Sequence, residues 1–402
     1  MHLSSIRLDS PVNLIVVVVL TVLAIIAVPW FWDRWRRKRL GRSATILLAV
    51  VLVVLSTAMG GNMIGGFFPT VGALTGTGAY SAQGTNAEAA HNGEDLEKLR
   101  DTGATRAREG KGTVVHMKVT GRRTGVTRDV TVYLPPQYFD GNYKGLKFPA
   151  IEWIPNYPSG PEVVVGPYQL PDQLDAAIAK RALPPTVVII PDPSGTPRVG
   201  RDTECVDEVD GTANDTFLTA DLREWGIQKL GLNPERRAWS IAGWSSGGYC
   251  AMNLVTRHPQ WYGQAASVSG YDKAQVDAET KNLFKGRKDI DDANNVRVNV
   301  RLHPSPVELL AIAGEKESYE SFAIDQIKAA AQSPIGFFWW KIPDAGHNMN
   351  TFKSQIPDLL AWIGARTVAP SAVVRHTDSS GGIKPWPLPR TGARGALVDM
   401  AE

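Results

Sequence analysis

Cysteine is nearly missing from this sequence. Two in 402 residues exclude a thiolate zinc framework and leave room for a single bridge. Charge is thin and almost balanced: 43 Lys and Arg against 40 Asp and Glu give a formal +3. No basic stripe with interleaved aromatics crosses the central region, so nucleic acid is not an expected partner. There is no Gly-rich phosphate loop, no His/Cys cluster at metal-ligand spacing and no nucleotide fingerprint, so no cofactor and no metal is expected. No internal repeat is visible. What is there is a chain 43% hydrophobic and long enough for one large domain plus appendages.

The appendages show first. Val12 to Trp32 is almost wholly apolar and about 20 residues long, the span of a bilayer core. A second run, Ala44 to Met59, continues through a Gly-rich stretch to Phe67-Phe68. Two such runs in tandem argue for membrane spans rather than core helices. Between them lies Asp33-Arg34-Trp35-Arg36-Arg37-Lys38-Arg39-Leu40-Gly41-Arg42. That basic cluster should stay in the cytoplasm, with Trp30, Trp32 and Trp35 at the interface, leaving the N-terminus and everything after the second span outside. A competing reading takes Ile46–Leu55 as a signal core and Ser56-Thr57-Ala58 as its cleavage site. Residues 1–68 are thus expected to be a two-span anchor in the cell membrane and 69–112 an extracytoplasmic stalk rich in Gly, Ala, Thr and Ser. Residues 367–402, rich in Pro, Gly and Arg, read as a disordered tail.

Between stalk and tail, residues 113–366 alternate strand-like and helix-like runs. The runs Thr113–Val119, Asp129–Leu134, Phe148–Ile154, Thr186–Ile190, Ala238–Ala242, Gln264–Val268, Val307–Ala313 and Gly336–Ile342 read as strands. Helical patterns fall at Gln173–Arg181, Phe217–Leu230, Gly247–Arg257, Tyr319–Ala331 and Thr351–Ala365. Alternation of this kind predicts an α/β fold, a mostly parallel sheet with helices on both faces.

The chemistry sits in Gly243-Trp244-Ser245-Ser246-Gly247, a G-x-S-x-G placed between a strand and a helix. Ser245 is the expected nucleophile, held in a strained turn that the two glycines make possible. The backbone N–H of Ser246, at the helix start, would face a developing oxyanion. A serine needs a base and the base an orienting acid. Of seven histidines, His347 alone follows the last strand and precedes the last helix, on the same sheet edge as Ser245. The acid should lie between them in the chain; Glu317 is the expected residue, with Glu315 and then Glu320 behind it. A second oxyanion donor should follow the strand Phe148–Ile154, where Pro155 and Pro158 have no N–H. Asn156 and Tyr157 remain, and Tyr157 is preferred.

Taken in order, Val132-Tyr133-Leu134-Pro135-Pro136, Asp202-Thr203-Glu204-Cys205, Gly243–Gly248, His258-Pro259, Ser269-Gly270 and Ala345-Gly346-His347 resemble the putative-esterase family of α/β-hydrolases. That family includes esterase D-like enzymes and actinobacterial mycolyltransferases. The resemblance covers about 250 residues, Thr113 to about Arg366. It implies an α/β-hydrolase fold and a Ser-His-acid triad, mapping onto Ser245, His347 and Glu317. One departure stands out: Pro155-Asn156 replaces the His-Gly or Asp-Gly pair usual in the family.

The expectation is a membrane-anchored serine esterase acting on an ester substrate through an acyl-enzyme. The alternatives are acyl transfer onto an envelope glycan or lipid, and a silent hydrolase-fold scaffold. The loop Asp202–Asp215 reads as a solvated acidic insertion, with a place on the rim of the cleft as the alternative. Cys205 in that loop and Cys250, a turn into the elbow helix, are expected to form a disulfide. It would close about 45 residues and be worth roughly 4 kcal/mol on the chain-entropy account; the competing state is two free thiols.

Overall fold

The computed structural model describes residues 6–8, 10–35, 38–65, 71, 102–195 and 201–372. The chain divides into two units, Met1–Ala82 with Asn348–Asn350, and Gln83–His347 with Thr351–Glu402. The stalk expectation falls largely on residues outside the described set, although 102–108 are helical. The tail expectation from 373 onward lies outside it altogether.

The smaller unit holds two long helices, α1 (Pro11–Phe31) and α2 (Lys38–Gly65). Ser10 caps α1 by accepting from the Asn13 N–H, and Pro11 occupies the first turn, where a missing N–H costs nothing. Thr21 Oγ1 donates to Val17 O on its own helix at 2.7 Å and lies 3.1 Å from Leu52 O on α2. Most of the Val, Leu and Ile side chains on both helices are exposed. Both helices are long and apolar enough to cross a membrane.

The larger unit is built on one sheet of eight strands: β1 (Thr113–Thr120), β2 (Thr127–Leu134), β3 (Ala150–Ile154), β4 (Val187–Pro191), β5 (Trp239–Trp244), β6 (Gln264–Val268), β7 (Glu308–Gly314) and β8 (Gly336–Ile342). Their order is β1-β2-β4-β3-β5-β6-β7-β8. β2 runs antiparallel to both neighbours, and every pairing from β4 to β8 is parallel. Strands buried on both faces cannot alternate polar and apolar residues, and β3, β4, β5 and β6 are accordingly buried at every position. Helices Leu170–Ala179, Leu222–Lys229, Ser246–Arg257, Ser318–Ala330 and Met349–Gly364 lie between strands or close the chain. Three shorter helices, Pro161–Val165, Lys288–Ala293 and Val296–Leu302, were not legible, being too short to show a period.

The sheet positions the chemistry. From β3 the chain steps to β4 on one side, and from β4 it returns past β3 to β5 on the other. The loops leaving β3 and β5 therefore meet at the point where strand order reverses, where open α/β sheets bind their ligands.

The loop after β4 departs from expectation. It is not a solvated insertion: Thr203, Glu204, Cys205, Val206, Asn214 and Asp215 are buried. Cys205 and Cys250 are bonded, with Cα atoms 5.7 Å apart. Glu204 accepts from the Tyr271 hydroxyl at 2.8 Å and from the Gln275 N–H at 3.1 Å, and Arg257 pairs with Asp215 at 2.7 Å. These acids are inside because partners far along the chain satisfy them, which local composition cannot show.

Candidate active site

Ser245 stands between β5 and the helix Ser246–Arg257 with φ 56 and ψ −122, a conformation that costs a non-glycine residue energy. Packing holds it there. Its N–H donates to Val268 O at 2.9 Å and its carbonyl accepts from Tyr249 N at 3.0 Å. The flanking glycines are obligatory: a Cβ on Gly243 would lie 2.3 Å from Gly247 O, and one on Gly247 would lie 2.2 Å from Ile154 O. Neither gap admits a methyl group.

The turn brings Ser245 Oγ to 3.1 Å from His347 Nε2. The other ring nitrogen, Nδ1, lies 3.1 Å from Glu317 Oε2. A carboxylate there assigns the proton to Nδ1 and leaves the Nε2 lone pair for the serine hydroxyl. Glu317 is buried, and its Oε1 accepts from Ser269 Oγ at 3.0 Å and from Gly314 N at 2.9 Å. Glu320 stands behind it, with Oε1 3.4 Å from His347 Nδ1. Glu315 is exposed; its carboxylate takes the Asp344 N–H at 3.3 Å. Burial lowers the His347 pKa, but the hydrogen bond and charge of Glu317 and the charge of Glu320 more than offset it, and the net shift is upward.

Behind the imidazole is an aromatic wall. Trp244 stacks on His347 at 5.3 Å between ring centres and on Phe352 at 5.2 Å, and Tyr168 meets Phe352 edge-on at 4.6 Å. The loop after β3 is tied down as well. Tyr168 O–H donates to Asn156 Oδ1 at 2.5 Å, the Tyr157 hydroxyl donates to Glu279, and the Tyr157 N–H donates to Ser246 Oγ at 2.7 Å. Of the residues singled out from sequence, Ser245, His347 and Glu317 come together, with Ser246 and Tyr157 bonded to each other beside them. Trp244 and Glu279 were not assigned these places, and Glu320 stood only third among the acids, because their neighbours here come from distant parts of the chain.

Among the described residues, Glu317, Glu320 and His347 form a group able to hold a metal ion. Here Glu317 spends both oxygens on hydrogen bonds and His347 gives Nε2 to Ser245. Such an arrangement can move a proton between Ser245 and His347 while Glu317 orients the ring. A cavity of about 610 Å³ lies elsewhere, lined by Ala104, Phe139 and Asp175 among others. The loop Asp202–Glu204 packs against the Tyr271–Glu279 segment, and burial pushes the Asp202 carboxyl up to about 6.

Residues 121–362 match the family described as putative esterase. The chain belongs to that family. Its class is therefore that of the carboxylic ester hydrolases, and its α/β-hydrolase fold is shared with other esterases. A ferulic acid esterase superposes with a TM-score of 0.53 at 17% identity, covering 63% of this chain and 98% of that one. An uncharacterised protein of Corynebacterium glutamicum is 24% identical over 345 residues, 82% of this chain and 78% of its own. The MPT51 antigen of Mycobacterium leprae is 43% identical over 65 residues, 16% of this chain and 21% of that one.

Proposed function

We propose that this member of the esterase family is a membrane-anchored, extracytoplasmic enzyme that cleaves carboxylic esters through an acyl-enzyme on Ser245. The observation that carries the reading is the unbroken path Ser245 Oγ to His347 Nε2 at 3.1 Å and His347 Nδ1 to Glu317 Oε2 at 3.1 Å. Ser245 attacks the ester carbonyl as its proton passes to His347. Glu317 steadies the imidazolium and holds the ring in register. The oxygen of the tetrahedral intermediate is met by the Ser246 N–H at the helix start, beside Tyr157. The alcohol leaves with the proton from His347, and water activated by the same ring then releases the acid. His347 is 35% exposed, which favours water over a sequestered acceptor alcohol in that second step. A silent scaffold would need none of this alignment.

Replacing Ser245 with Ala should remove both ester turnover and labelling by a fluorophosphonate, by on the order of a millionfold in rate, with the melting transition unchanged. Normal activity in that variant would sink the mechanism.

The anchor is 1–68, the stalk 69–112, the catalytic domain 113–366 and the tail 367–402. The Arg and Lys residues between the two spans hold that loop in the cytoplasm. A single cysteine placed in the stalk, with Cys205 and Cys250 replaced, should react with an impermeant maleimide on intact cells. Reaction only after lysis would reverse the orientation.

A further inference from the structure

Tyr157 was expected to point its N–H at the oxygen of the attacked carbonyl. Instead that N–H donates to Ser246 Oγ at 2.7 Å. The loop is fixed in this pose from several directions: Tyr157 O–H is held by Glu279, Asn156 Oδ1 by Tyr168 O–H, and Asn156 Nδ2 donates to Tyr157 O at 3.2 Å. A hydroxyl has two lone pairs and one proton to give. Ser246 Oγ takes one bond from Tyr157, and among the described residues its proton has no acceptor. Ser246 is buried, so an idle donor there is costly unless a partner arrives. It also directly follows Ser245 and opens the helix Ser246–Arg257, so its hydroxyl and its N–H belong to one residue next to the nucleophile.

We propose that the Ser246 hydroxyl is a catalytic residue, the second oxyanion donor of this site, and that Tyr157 is a positioning residue that acts through it. The proposal rests on the acyl-enzyme reading above. As Ser245 Oγ bonds to the carbonyl carbon, its proton moves to His347 Nε2 and the carbonyl π pair moves onto oxygen. Ser246 O–H gives that oxygen a hydrogen bond and keeps its proton. The N–H of Tyr157, donating into the same Oγ, polarises the hydroxyl and fixes its rotamer, so the donor is oriented before charge develops. A side chain thus takes the place usually filled by a second backbone N–H, at the position where Pro155-Asn156 departs from the family pattern.

The test uses the full-length protein, p-nitrophenyl butyrate as substrate and phenylboronic acid as a tetrahedral mimic. Ser246→Ala should lower kcat about a hundredfold with KM little changed, and weaken the boronate by a similar factor. Ser246→Thr, which keeps a hydroxyl, should recover most of both. Unchanged or higher kcat in Ser246→Ala would mean that Tyr157 donates directly once the hydroxyl is gone, and the proposal falls. Equal losses in the Ala and Thr variants, with KM raised and the melting transition lowered, would make Ser246 a packing residue and equally overturn it. Fluorophosphonate labelling of Ser245 in the parent separates the two readings: labelled parent with unaffected Ser246→Ala rejects only this proposal, and unlabelled parent rejects the acyl-enzyme itself.

Discussion

Two histidines in the larger unit each lean on a buried carboxylate, and only one of them has anything to do with the other nitrogen. His347 gives Nδ1 to Glu317 and Nε2 to Ser245. His258, at the end of the helix Ser246–Arg257, meets Asp215 Oδ1 at 2.7 Å through Nε2, and its ring stacks on Trp261 at 5.0 Å between centres. Asp215 is further held by Arg257 at 2.7 Å and by Thr219 Oγ1 at 3.2 Å. Among the described residues no hydroxyl bonds the second nitrogen of His258. The second pair lies at the far end of the elbow helix from Ser245, where it ties the loop after β4 to that helix. A histidine–carboxylate pair is therefore not in itself a catalytic signal. The strained serine at the sheet edge makes the difference.

The comparison breaks most sharply by exchanging the insult. His347→Gln should cost on the order of a millionfold in kcat with an intact melting transition, whereas His258→Gln should leave kcat per folded molecule unchanged. Equal kinetic losses would erase the distinction. Next in size, Glu317→Gln should lower kcat by roughly two to four orders of magnitude and Glu315→Gln hardly at all, as read in steady-state ester hydrolysis. The reverse ranking would reassign the acid.

Asp215→Asn should show the opposite signature, a loss of roughly 3 kcal/mol in urea unfolding with kcat preserved, because Arg257 is left beside a neutral amide. Close to Asp215 lies Glu152, wholly buried on β3, whose Oε2 accepts from the Tyr262 hydroxyl at 2.9 Å. Burial, partly opposed by Tyr262 and reinforced by Asp215, pushes its pKa up to about 8 from its ordinary 4.5. Between those values the folded protein keeps a proton that the unfolded chain has released. Stability should therefore fall as pH rises through that window, by about 1.4 kcal/mol per pH unit at most, and level off above it. Glu152→Gln should flatten that slope in unfolding curves taken at pH 5, 7 and 9; a parallel slope in the variant would remove Glu152 as its source.

The smallest effect belongs to Glu320. Its charge helps raise the His347 pKa, and the base must be neutral to work. Activity is lost as pH falls through that raised value, so Glu320→Gln should move the acid limb of kcat/KM to lower pH. An unmoved limb would show that Glu320 is too far away to matter.

Much of this was legible in the chain. Apolar runs bounded by turn residues gave the eight strands, and the G-x-S-x-G between a strand and a helix gave Ser245 its place. The position of His347 after the last strand put it on the same edge. Glu317 could be ranked above Glu315 only by its spacing from Gly314, and what separates them physically is burial under Ser269 and Gly314. What stayed hidden depends on contacts between distant segments. The loop 202–215 looked solvated because its acids are counted locally, while Tyr271, Gln275, Arg257 and His258 reach it from across the fold. The bond from Tyr157 to Ser246 Oγ joins a loop and a helix start 89 residues apart, and no pattern in either announces it.

The Cys205–Cys250 bond, finally, has a consequence for a damaged chain. It closes a ring that contains β5, the elbow and the exposed turn at Asp210-Gly211. A protease that nicks this turn cuts a circle rather than a thread. The two fragments stay joined through the bridge, held at Cys205 on one piece and at Cys250 on the piece that carries Ser245, so reduction is needed before they can separate.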